Sequence, residues 1–167
     1  MHFTSIETPP KILPFPNAPK GWVVLVHPDI PQNTGNIARL CVATGMGLAL
    51  VRPPGFRLTD RQLERAGMDY WNSLQPLIFD DLGAFLHWAE EKRVFFFSAR
   101  ASRNFFQQRY CWGDCLCFGS ESAGLPTEIL QNKKFHDRIL GLPMVPGARC
   151  LNVSSAAAAT VFEFLRQ

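Results

Sequence analysis

The sequence predicts an α/β domain with a mainly parallel sheet and helices on both faces. Short apolar, β-branched runs recur at 22–26, 48–51, 94–97, 115–118 and 139–142. Each is continuous rather than alternating, as strands buried on both faces are. Stretches with helical periodicity separate several of them, and no tight hairpin signal joins any pair, so βαβ units are the expected connection. The 167 residues, 47% apolar and 19% charged, suit one ordinary domain with a real core and exclude a chain that is disordered throughout.

Taken in order, residues 1–20 carry Pro9, Pro10, Pro14, Pro16 and Pro19 and are expected to form an extended or mobile leader, with the domain at 21–167. Trp22 to Val26 is the first strand. Pro28, Pro31, Asn33, Thr34 and Gly35 then predict a loop, and Ile37, Leu40 and Cys41 predict a helix from Asn36 with Gly45 as its C-cap. Leu48 to Val51 is the next strand, and Thr59 with Gln62 forms a capping box for a helix to about Ala66. Asp80 and Asp81 open a helix over Phe85, Leu86 and Ala89, followed by the Val94 to Phe97 strand. After the strands at 115–118 and 139–142, the last helix carries Val153, Ala156, Ala157, Thr160, Val161, Phe164 and Leu165 on its apolar stripe, with Asn152 as N-cap. Ligands of parallel sheets collect at the carboxyl ends of strands, which directs attention to loops 28–36, 98–110, 119–126 and 143–152.

The net charge of +3 argues against a partner held by bulk charge alone, although 12 of the 17 basic residues are arginine, whose planar fork suits phosphate. Five cysteines without paired metal spacing predict a reducing, cytoplasmic setting and no metal site, with Cys111, Cys115 and Cys117 as apolar filler. No apolar run reaches the roughly 18 residues of a membrane span, and no secretory signal opens the chain.

Several constellations admit two readings. Arg39, one turn past Asn36, either contributes to an anion site at a helix N-terminus or is simply solvated, with Asn33 or Thr34 capping the helix. Arg100, Arg103 and Arg109 alternate with Phe105, Phe106, Tyr110 and Trp112: either these rings stack on single-stranded RNA, or they are core and the arginines solvated. Arg61 and Arg65 either extend a basic face or sit on a charged solvent face. Ser120-Glu121-Ser122-Ala123-Gly124 imitates a serine-hydrolase elbow, but only His136 follows it, too soon for the acid and histidine of that machinery. Gly45-Met46-Gly47 follows a helix and lacks the third glycine of a dinucleotide loop. The alanines at 156–159 either permit close approach of another backbone or merely favour helix.

Three segments together, Asn33-Thr34-Gly35-Asn36-Ile37-Ala38-Arg39, Phe118-Gly119-Ser120-Glu121-Ser122-Ala123-Gly124-Leu125-Pro126, and Leu142-Pro143-Met144 through Arg149-Cys150-Leu151-Asn152-Val153-Ser154, resemble the three motifs of the trefoil-knot (SPOUT-type) RNA 2′-O-ribose methyltransferases. The Pro-Asp-Ile-Pro-Gln lead-in at 28–32 and Arg65-Ala66-Gly67-Met68-Asp69-Tyr70 are most similar to its TrmL-type subgroup, which acts on the wobble cytidine or uridine of tRNA. The resemblance spans about residues 22–167.

It implies a C-terminal trefoil knot, a homodimer, and S-adenosyl-L-methionine bound among the knot loops; the long apolar stripe from Val153 to Leu165, with small residues at its start, predicts that the dimer interface includes the last helix together with the first. By position it implies cofactor contacts at Phe97, Gly119, Leu142 and Cys150, with Gly119 letting the backbone approach the ligand. Arg39 and Glu121 would face the reaction centre and Asn152 would hold the third loop, making these three the catalytic set. Asn33, Asn36, Arg39, Arg100 and Arg103 would meet the RNA. Cys150 departs from the family's usual serine, and S–H is a poor donor. The implied activity is methylation of the wobble ribose 2′-hydroxyl; the competing expectation is a non-catalytic RNA-binding protein that keeps the knotted fold.

Overall fold

The computed structural model describes residues 18–55 and 71–167. Six strands form one sheet in the order β3-β2-β1-β5-β4-β6, with every pair parallel. They are β1 (Trp22–Val26), β2 (Gly47–Val51), β3 (Leu77–Phe79), β4 (Val94–Phe97), β5 (Cys115–Phe118) and β6 (Ile139–Leu140). Because side chains alternate across a strand, each apolar run feeds two cores at once. Val23 and Leu25 of β1 enter one face with Ile37, Cys41, Val161 and Phe164. Val24 and Val26 enter the other with Phe85, Phe96 and Ile129.

The first face is covered by α1 (Pro31–Thr44) and α5 (Val153–Arg166), and α2 (Trp71–Leu74) adds Trp71 and Leu74. The second is covered by α3 (Leu82–Trp88) and α4 (Thr127–Leu130), with the Phe135 ring packed at a tilt on Phe96, centroids 4.8 Å apart. The expected layered α/β architecture is therefore present, and burial on both faces explains why the strands read as unbroken apolar runs.

Local expectations need correction at several points. Helix α1 begins at Pro31 rather than Asn36. Proline is tolerated in a first helical turn, where its missing N–H had no partner to lose, so the apparent turn residues 31–36 are helical. Neither Asn33 nor Thr34 caps this helix; the N-cap position is Ile30, without a side-chain bond. Gly45 does form the C-cap, at φ 75°, a left-handed conformation natural to glycine. Strand β6 stops at Leu140, and β3, α2 and α4 were not anticipated because runs of three or four residues carry almost no periodicity. Asp81 caps α3 by accepting from the Ala84 N–H at 2.8 Å. The proposed helix at 59–66, Arg61, Arg65, the 65–70 motif and the first 17 residues of the leader lie outside the described residues.

The chain after β6 is held between β4 and the segment beyond it. Ser98 N–H donates to Leu140 O at 3.0 Å, Gly141 N–H to Arg103 O at 2.8 Å, and Phe105 N–H to Gly141 O at 3.1 Å. From this clasp at the sheet's edge the chain returns past the carboxyl ends of β4 and β5 to α5, which packs on α1.

Candidate active site

All carboxyl ends of the strands face one edge, and strand order reverses between β1 and β5. A doubly wound sheet opens a crevice at such a point. A pocket of about 400 Å³ lies there, within the range of small-ligand sites, lined from the loops after β1, β4, β5 and β6. Phe97, Gly119, Leu142 and Cys150, the four residues expected around the cofactor, all line it. So do Asn33, Arg100, Glu121 and Asn152, whereas Asn36, Arg39 and Arg103 are not on its wall.

Three motif residues far apart in sequence form one hydrogen-bonded joint. Asn33 Nδ2 donates to Glu121 Oε1 at 2.8 Å, Asn152 Nδ2 donates to Asn33 Oδ1 at 3.0 Å, and the Asp29 backbone N–H donates to Glu121 Oε2 at 2.7 Å. Asn33 is only 5% exposed, so both ends of its amide are engaged inside the protein. Asn152 also caps α5, its Oδ1 accepting from Ser154 N–H at 2.9 Å, Ser154 Oγ at 2.6 Å and Ser155 N–H at 3.3 Å. A fully connected polar network of this kind fixes the relative positions of the elements it joins.

A second tie runs beside the first. The Asp29 carboxylate accepts from the Ser122 N–H at 3.1 Å and from the Ser122 hydroxyl. The hydroxyl bond, foremost among the causes, holds the Asp29 carboxyl below its ordinary range. Ser120 accepts from the Ala123 N–H at 3.1 Å and pairs with Gly124 across a tight turn. The elbow-like serines thus build a loop, which is why this segment imitates a hydrolase without being one.

The physical role read into Gly119 must be changed. A Cβ there would lie 2.1 Å from the Gly124 carbonyl carbon and 2.2 Å from Leu125 N. The missing side chain makes room for the protein's own returning loop, not for a ligand.

Beyond the pocket, Asn36 and Arg39 are exposed on α1. With α1 starting at Pro31, Arg39 is more than two turns into the helix, and its six-residue separation from Asn33 is about 9 Å along the axis. Arg103 is exposed and bonded to Asp137 at 2.6 Å. The arginine-aromatic segment divides between its two readings: Phe105 and Tyr110 are core, while Phe106 and Trp112 are 55% and 77% exposed. The cysteine cluster divides as well. Cys115 and Cys117 are buried, and burial pushes the Cys115 thiol up to about 12, but Cys111 is exposed with Arg93 Nη1 at 3.3 Å from its sulfur. Among the described residues no group of histidine, cysteine and carboxylate could hold a metal, and no helix is long and apolar enough to cross a membrane.

Fold and site together define a doubly wound α/β protein whose switch-point pocket is enclosed by interlaced, mutually bonded loops. Residues 21–162 match the SpoU rRNA Methylase family. A relative from Burkholderia cenocepacia, named tRNA (cytidine(34)-2′-O)-methyltransferase, is 44% identical over 147 residues, covering 87% of this chain and 94% of that one. A solved structure concerned with the 2-OH methylation of C/U34 on tRNA superposes with a TM-score of 0.81 at 41% identity, covering 88% of this chain and 95% of the other. At 23% identity the fold is shared with the methyltransferase AviRb from Streptomyces viridochromogenes in complex with the cofactor AdoMet, with a TM-score of 0.78, covering 92% of this chain and 60% of that one.

The chain belongs to the SpoU methylase family and has its trefoil-knot fold. It is therefore a methyltransferase by family. Among the lining residues given no role from sequence is Arg149, whose signal was its place beside Cys150 in the third motif.

Proposed function

We propose that this protein methylates the ribose 2′-hydroxyl of the wobble cytidine or uridine of tRNA, with S-adenosyl-L-methionine seated in the switch-point pocket. The observation that carries this reading is the Asn33–Glu121–Asn152 joint, which draws all three motif loops around a single cavity of suitable size. The names of the relatives supply the nucleotide and the class of RNA.

The cofactor supplies an electrophilic methyl group on a sulfonium and leaves as a thioether. Phe97, Leu142 and Cys150 would hold it through side chain and backbone, and Gly119 shapes the wall behind it by admitting the Gly124–Leu125 backbone. Glu121, held by two donors, and Asn152, fixed as a helix cap, keep the walls in register, so their contribution is positioning. Arg39, outside the pocket, would meet RNA phosphate together with Asn36 and orient the attacking hydroxyl electrostatically. A guanidinium at its normal pKa is no base, so Arg39 does not take the proton.

A homodimer through α5 and α1 accompanies this reading, supported by Phe162, 61% exposed on α5. Sedimentation at micromolar concentration should give twice the chain mass, and a monomer would refute the dimer. A cytoplasmic setting is part of this proposal, in keeping with five cysteines that form no disulfide among the described residues. Nucleoside mass spectrometry tests the function: tRNA from cells lacking the protein should lose the wobble 2′-O-methyl mark and regain it with the wild-type chain. An intact mark would refute the assignment.

A further inference from the structure

Arg100, three residues beyond β4, and Arg149, in the loop ahead of α5, come to the same pocket from different parts of the chain. Four arginines elsewhere sit against carboxylates: Arg52 with Asp80, Arg93 with Asp114, Arg103 with Asp137 and Arg166 with Glu163. Neither pocket guanidinium has a hydrogen-bond or ion-pair partner among the described residues. The single carboxylate on the wall, Glu121, accepts instead from Asp29 and Asn33. The pocket therefore presents two exposed positive charges without a counter-charge from the protein. Exposure keeps their desolvation cost small until an anion arrives, and the planar fork suits phosphate or carboxylate bidentately.

We propose that Arg100 and Arg149 grip backbone phosphates of the RNA strand beside the target nucleotide and take no part in seating the cofactor. The inference rests on the methyltransferase reading above. S-adenosyl-L-methionine carries a sulfonium, an ammonium and one carboxylate, so it is a cation overall, and two guanidiniums in a confined pocket repel it more than its single carboxylate attracts them. An RNA strand brings a negative charge with every nucleotide and neutralises both arginines. Cofactor and RNA should therefore bind synergistically, each relieving repulsion felt by the other.

The test uses the full chain in three forms: wild type, Arg100→Ala with Arg149→Ala, and Arg100→Lys with Arg149→Lys. Binding of a fluorescent tRNA transcript with cytidine at the wobble position is measured across salt concentrations, and S-adenosyl-L-methionine is titrated calorimetrically. The double alanine variant should lower the slope of log affinity against log salt by about 1.4, two phosphates at about 0.7 each on a single strand, and weaken tRNA binding about 10-fold. Its affinity for S-adenosyl-L-methionine should stay within about 2-fold of wild type. The double lysine variant should restore the slope with only part of the affinity, because it returns charge without the fork. An unchanged slope overturns the proposal, as does a tenfold loss of S-adenosyl-L-methionine affinity, which would make the pair a clamp for the cofactor's carboxylate. Wild-type protein that binds neither S-adenosyl-L-methionine nor tRNA overturns the functional reading, and this proposal with it.

Discussion

The two edges of the sheet are finished in opposite ways. At the amino edge the polar groups close on one another. Asp114, 2% exposed, accepts from the Cys111 N–H at 2.7 Å and pairs with Arg93 at 3.3 Å. The side chain of Gln167 accepts from the Tyr110 N–H at 3.0 Å and donates to Gln108 O at 3.1 Å, sealing the end of α5 onto the segment before β5. Glu163 accepts two bonds from Arg166, at 2.9 and 2.8 Å, and one from Gln167 at 2.8 Å. At the carboxyl edge a few long-range side-chain bonds hold the loops apart around a pocket whose arginines have no carboxylate. One edge uses its charges for folding, and the other leaves the two pocket arginines, Arg100 and Arg149, available for a ligand. A mutation's effect should therefore divide by edge: activity without much stability at the carboxyl edge, stability without chemistry at the amino edge.

The largest effect is expected at Gly119, the exception that mixes the two. Gly119→Val places atoms into the Gly124–Leu125 backbone, so the loop must move. Cofactor binding should vanish by calorimetry, and stability should fall by about 1–3 kcal/mol, the usual cost of overpacking. A folded Gly119→Val protein with wild-type affinity and wild-type Tm would disprove the close approach.

Next in size is Glu121→Ala, which leaves the Asp29 N–H and the Asn33 amide without their acceptor. Displacement of the walls by even 1 Å is enough to lower kcat/KM by about 10²-fold. Single-turnover methyl transfer on tRNA should show that loss; a rate within threefold of wild type would mean the joint does not position the site.

Arg39→Ala should also lower kcat, by on the order of 10²-fold, while Tm and S-adenosyl-L-methionine affinity stay near wild type, since an exposed charge contributes little to folding. Arg39→Lys should fail to rescue it, because a point charge lacks the bidentate fork. Full activity in either variant would remove Arg39 from the chemistry.

The smallest effect on activity belongs to the amino edge. Bonds from Arg166, then Gln167, hold the Glu163 carboxyl at about 2, below its ordinary 4.5. A carboxylate depressed in the folded state stabilises above its unfolded value, and that contribution is lost as pH falls from about 4.5 towards 2. Glu163→Gln should therefore lower stability at neutral pH by about 1–2 kcal/mol, roughly 2–8 °C in Tm, and flatten the dependence of Tm on pH between about 4.5 and 2. Methyl transfer at 25 °C should be unaffected. An unchanged pH profile would refute this account of Glu163.

What the sequence disclosed follows from which interactions are local. Continuous apolar runs exposed the doubly buried strands, and the 3.6-residue stripe from Val153 exposed α5 together with its Asn152 cap. The start of α1 was hidden because Pro31, Asn33 and Gly35 are turn formers in isolation, and tertiary packing overrides them: Pro31, Asn33 and Gly35 are all buried in the helix. The motif resemblance brought Phe97, Gly119, Leu142 and Cys150 to one pocket, but the bonds linking Asn33 to Glu121 and Asn152 span 88 and 119 positions, and no spacing rule reaches that far. Nor could it show that the space beside Gly119 is filled by Gly124, because that contact exists only once the loop has closed.

If the bonded joint of the three loops builds the proposed seat for S-adenosyl-L-methionine, loosening the joint must weaken cofactor binding. Calorimetric titration of the cofactor into wild type and Asn33→Ala tests it most directly. The wild type should bind at one site per chain, and a folded Asn33→Ala variant at least tenfold more weakly. Absence of binding to the wild type, or equal affinity in both proteins, would contradict it.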